Sequence, residues 1–88
     1  MAGDPVSWFE IEPGWRVDDP DGAELGSVEE VIGDQREDIF DGLAVVGGLG
    51  GLAHYVPAEQ VTSITSDGRI TLGIHRDTFE RLPEPDRR

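Results

Sequence analysis

Neither cysteine nor lysine occurs among the 88 residues of this chain. Without cysteine there is no disulfide framework and no thiolate metal site. Without lysine there is no phosphate-loop lysine, and all seven cations are arginines. Histidine is scarce as well: His54 and His75 are the only two, and neither has a partner at the spacing of a metal-ligand motif. No apolar run approaches the ~20 residues that span a bilayer, and the N-terminus lacks a basic-then-apolar signal pattern. The expectation is a cytoplasmic chain with no membrane insertion.

The chain is short of positive charge overall, with a net charge of −12. Between Asp18 and Asp41 stand ten acids and one arginine, Arg36, a net of −9. Phosphate backbones need cations, so this segment excludes DNA, RNA and anionic lipid as partners. Its plain role is a solvated, aggregation-resistant face. At this length one domain is expected, burying about 60–65% of the surface its unfolded form exposes. A flexible N-terminal segment over 1–10, a domain over 11–83 and a frayed tail over 84–88 divide the chain.

What is present reads as β-structure. Asp19-Pro20-Asp21-Gly22 is turn chemistry, since proline pre-sets φ and glycine accepts a positive φ. Strand formers flank it: Trp15-Arg16-Val17 before, and Leu25 through Ile32 after. Ile39 to Val46 predicts a third strand with apolar residues on both parities. His54-Tyr55-Val56-Pro57 predicts a fourth, followed by a tight turn at Ala58-Glu59-Gln60. Val61–Thr65 and Arg69–Ile74 flank Ser66-Asp67-Gly68, whose Asp-Gly pair is a strong hairpin signal. Glycines 26, 33 and 42 would let a small sheet bend sharply. Asp77-Thr78-Phe79-Glu80 has capping-box spacing, with Asp77 as the expected helix cap; Phe79 and Leu82 would pin one helical turn before Pro83. The expected core is Val17, Leu25, Val28, Val31, Ile39, Leu43, Val45, Val56, Val61, Ile64, Ile70, Leu72 and Phe79. The fold class is therefore all-β: a small six-stranded, partly open β-barrel with a short C-terminal helical turn.

Patterns that would carry chemistry fail on their surroundings. Gly48-Leu49-Gly50-Gly51-Leu52-Ala53 has dinucleotide-loop spacing, yet an extended segment ending in Pro57 follows where the phosphates need a helix N-terminus. It is a loop joining two strands. Asp19-Pro20-Asp21-Gly22 resembles part of a calcium loop, but register on Gly22 puts Val17 and Val28 where carboxylates belong. Glu29 and Glu30, adjacent on a strand, point to opposite faces and form no acid–base dyad. The serines lack a nucleophile-elbow context. No catalytic, cofactor-binding or metal-binding residue is assigned, and the chain is not expected to be an enzyme.

Gly14-Trp15-Arg16-Val17, Asp21-Gly22, Leu25-Gly26-Ser27-Val28, Tyr55-Val56-Pro57-Ala58-Glu59-Gln60-Val61 and Ile70-Thr71-Leu72, in this order, resemble the PRC-barrel family over residues 11–83. The resemblance implies a six-stranded barrel with a short C-terminal helical element. It also implies adaptor-like contact with other proteins, as in the cytoplasmic part of the photosynthetic reaction centre H subunit or the C-terminal domain of a ribosome-maturation factor. The expected function is a non-enzymatic protein-interaction module forming a homodimer, with Trp8, Phe9, Leu49, Leu52 and Tyr55 as partner-binding residues. The alternative is a small-ligand or divalent-metal-binding protein using the acidic face and the glycine-rich loop.

Overall fold

In the computed structural model, residues 3–47 and 51–85 are described. The Asp19–Gly22 turn closes on two backbone bonds, Asp19 N to Ala23 O at 2.8 Å and Gly22 N to Asp19 O at 3.0 Å. The Asp19 carboxylate tightens it, Oδ1 accepting from Asp21 N and Ala23 N at 2.8 and 2.9 Å. Gly22 adopts φ +88°, where a side chain would be strained. This turn joins β1 (Arg16–Asp18) to β2 (Glu24–Asp34) in antiparallel pairing. A second hairpin leads to β3 (Ile39–Val46), which pairs with β4 (Ala53–Pro57). A 3₁₀ turn over Ala58–Gln60 leads to β5 (Val61–Thr65), and the Asp67-Gly68 turn to β6 (Arg69–Leu72). The helix α1 (Arg76–Glu80) follows.

The strand order is β4-β3-β2-β1-β6-β5, with only β1 and β6 parallel. Connectivity forces this sheet to curl. In a flat sheet the outermost strands would lie about 24 Å apart, at ~4.8 Å per spacing. They are successive in sequence, and four Cα steps from Pro57 to Val61 reach at most about 14 Å. The two edges are drawn toward each other at that end without pairing, leaving one sheet that is not closed. Bulges in the β2–β3 ladder, between Val28 and Glu30 and between Ile32 and Gly33, contribute bend. At Gly42 an added Cβ would lie 2.3 Å from Val56 O, so only glycine lets β4 approach there.

The core lies on the concave face. Cross-strand rows Val28–Val45–His54 and Val31–Leu43–Val56 bring side chains of β2, β3 and β4 together. Val17, Leu25, Ile70 and Leu72 complete it, and fully buried Phe79 of α1 caps it, its ring 4.7 Å from that of His54. Both sheet edges carry partial cover. Residues 4–6 run along β5, with Val6 N donating to Ile64 O at 3.0 Å and Ser66 N to Asp4 O at 2.8 Å. On β4, Tyr55 N donates to Pro83 O at 2.7 Å and His54 Nδ1 to Leu82 O at 2.9 Å. Among the described residues no helix is long and apolar enough to cross a membrane.

Several expectations need correction. Ile39 is 49% exposed and outside the core, because it sits at the strand end beside the β2–β3 turn. Val31, Val61 and Ile64 pack around the core half-buried, whereas Ile11 and Ala44 are buried without having been expected. Asp77 does not cap α1: His75 occupies the cap position, and Asp77 accepts only from the adjacent Thr78 N. The register shift between Val28 and Glu30 leaves both Glu29 and Glu30 exposed. β6 ends at Leu72, two residues short of Ile74. The acidic segment is not uniformly solvated, since Asp18 and Asp19 are buried.

Candidate interaction surface

Two separate apolar areas reach the surface. The first is built by the segment before β1. Ser7 caps the 3₁₀ turn Trp8–Glu10 by accepting from Phe9 N, and the turn presents two aromatic rings in succession. Trp8 stacks on Phe40 with centroids 5.2 Å apart and planes within 10°, and its Nε1 donates to Asp38 Oδ1 at 3.0 Å. Phe9 leans on Trp8 at 4.6 Å and is 43% exposed. Clefts of about 370 and 570 Å³ flank this pair. Their polar walls are acidic in the main: Glu10 and Glu12 beside Phe9, and Asp34 with Arg36 beside Trp8.

The second area is the convex face of β2, β3 and β4. Alternation with the core rows places Ser27–Val46–Ala53, Glu30–Ala44–Tyr55 and Ile32–Gly42–Pro57 there. Glu30 is the single charged residue among these nine positions. The Tyr55 ring lies over Gly42, where an added Cβ would be 3.0 Å from it, and its hydroxyl donates to Asp41 O at 2.9 Å. Burial, then the nearby Asp41 and Glu59 charges, raises the Tyr55 pKa above its ordinary value. A cleft of about 360 Å³ opens between Ile32, Tyr55 and Pro83. Leu52, 56% exposed, stands just ahead of β4.

The structure thus joins Trp8 to Phe9, and places Tyr55 on β4 with Leu52 just ahead of that strand. Leu49 lies outside the described residues. Phe40 and Ile32 complete these areas and were not singled out from sequence; their proximity to Trp8 and Tyr55 depends on the register of β2 against β3.

Two charged clusters were also illegible in sequence. Asp18 is buried between Arg16 and Arg69, whose Nε atoms lie 2.5 and 3.5 Å from its two oxygens. The parallel register of β1 and β6 sets those arginines side by side. The hydrogen bond to Asp18 holds the Arg16 pKa above its ordinary value. Beyond the first turn, His75 Nε2 donates to Asp21 Oδ2 at 3.0 Å. With Asp19 these groups place one ligand-type atom each within 4.8 Å of the others.

Compared with known proteins, the chain matches no family model and no curated sequence.

Proposed function

We propose that this chain is a non-enzymatic protein-interaction module of the PRC-barrel type, and that it self-associates through the convex face of β2–β4. One observation carries this: nine adjoining positions on three strands hold a single charge, in a chain of net charge −12. Apolar surface left uncovered on so charged a domain marks a contact site. A two-fold contact buries such a patch against its own copy.

Charge decides between the two apolar areas. Trp8 donates to Asp38, inside the most acidic segment, so pairing two copies there would bring like charges together. The face bearing Tyr55 carries Glu30 alone among its nine positions, with Asp41 and Glu59 beside Tyr55, and so meets less of that repulsion. The aromatics Trp8 and Phe9 are better suited to a basic partner. The test is a dilution series of amide spectra. Shifts with concentration should appear at Leu52, Ala53 and Tyr55 and spare Phe9. Concentration-dependent shifts confined to residues 6–12 would assign the contact to the other area, and no shifts at all would remove the dimer.

A further inference from the structure

The geometry points to a binding site for a transition-metal dication such as Zn²⁺, formed by Asp19, Asp21 and His75 at the junction of the first hairpin and α1. The inference is independent of the interaction role proposed above.

Its first support is convergence. Asp21 and His75 are 54 residues apart in sequence, yet Oδ2 and Nε2 stand 3.0 Å from each other, and an Asp19 oxygen joins them within 4.8 Å. Ligand atoms of a tetrahedral ion, bonded at about 2.0–2.1 Å, lie roughly 3.3 Å apart. The pair already meets that spacing. A movement of up to about 1.5 Å by the exposed Asp21 and His75 side chains toward the fixed Asp19, from within 4.8 Å, completes it. Asp19 is fixed because its Oδ1 holds the turn through two backbone amides. His75 is held near by its neighbour Arg76, whose Nη2 donates to Glu24 O at 2.7 Å on the same hairpin.

The second support is an imbalance of charge. Asp18 and Asp19 are both buried carboxylates, yet they are compensated differently. Asp18 has two arginines, whereas Asp19, 7% exposed, is held by two backbone amides and pairs with no cation among the described residues. A carboxylate so far removed from water is stabilised by an opposite charge. The ligand-type atoms beside it belong to Asp21 and His75. A bound dication would add the positive charge that two amide donors do not carry.

The donor set selects the metal. One imidazole and two carboxylates suit zinc and its neighbours, and three protein ligands leave positions for water. Calcium takes six to eight oxygens, which two carboxylates do not provide. Binding would also clip α1 to the first hairpin, adding a crosslink between elements that two hydrogen bonds now join.

Untagged protein titrated with Zn²⁺, and with Co²⁺ for its visible absorption, tests this. One saturable equivalent per chain is expected, with a rise in melting temperature that Ca²⁺ at equal concentration does not reproduce. Because Asp21 and His75 are exposed, Asp21→Asn and His75→Gln leave the fold intact. Each should weaken Zn²⁺ binding by about tenfold or more, in line with the sensitivity of metal affinity to loss of a metal-site partner, while His54→Gln should not. The proposal is overturned by the absence of a saturable equivalent below about 1 mM, a bound taken as several orders weaker than structural zinc sites. It is equally overturned by binding that both variants leave unchanged, or by Ca²⁺ matching Zn²⁺.

Discussion

Replacing Phe79 with alanine tests how the open side of the sheet is closed. Phe79 is fully buried and is the single buried residue of a five-residue helix. A helix this short has no stability of its own, isolated helices needing about 12–15 residues. Without its anchor it should melt rather than stay over a cavity. Losing a core phenylalanine costs about 3–5 kcal/mol. Since melting lets the site relax, the lower end applies, about 3 kcal/mol. That is a large share of the roughly 4–13 kcal/mol expected for a chain of this length. In urea the midpoint should fall by about 1–3 M, at a slope of 1–3 kcal/mol/M. The same change should release residues 82–83 from β4, so the Tyr55 amide, which donates to Pro83 O, should lose hydrogen-exchange protection. A loss below about 1 kcal/mol, or unchanged Tyr55 protection, would refute the role given to α1.

Three further outcomes are expected. Gly42→Ala should destabilise by about 1–3 kcal/mol in a thermal or urea melt, because its Cβ would meet Val56 O at 2.3 Å; an unchanged melt would contradict the close approach of β4. The Thr65 hydroxyl, which donates to Asp67, lowers the Asp67 pKa below the ordinary carboxyl value of 3.8. Its contribution to stability is therefore present above pH 3.8 and fades as pH falls through the depressed value, and Thr65→Val should return the Asp67 titration, followed by NMR, toward 3.8. Neither RNA nor duplex DNA should be retarded in a gel at moderate salt, given the −9 between Asp18 and Asp41; a salt-sensitive complex at micromolar protein would overturn the charge argument.

The hairpins were legible because their chemistry is local. Asp19-Pro20-Asp21-Gly22 and Asp67-Gly68 specify their turns within four residues, and the alternation of Ile70 and Leu72 specifies the buried face of β6. Parity failed for Ile39, whose strand is apolar on both faces and whose burial depends on what stands over the strand end. Ile11 was missed because it lies outside any periodic run, and Ala44 because the Tyr55 row of the convex face covers it. Two of the charged contacts were hidden for one reason: the partner is distant in sequence. Asp18 meets Arg69 through the parallel β1–β6 register, and Asp21 meets His75 only once α1 has docked. In sequence both acids looked like members of a solvated run. The reading of the glycine-rich run falls mainly on residues 48–50, Leu49 included, which lie outside the described residues.

Sedimentation equilibrium at low and high salt tests the central claim, self-association through the convex face, most directly. Like-charge repulsion between chains of net charge −12 opposes the contact and is screened by salt. The account predicts a homodimer that strengthens with salt and is lost in Ala53→Glu, a substitution at a half-exposed position of the convex face on the edge strand β4. A monomer at high micromolar protein in both salts would contradict it, as would a dimer that Ala53→Glu leaves unchanged.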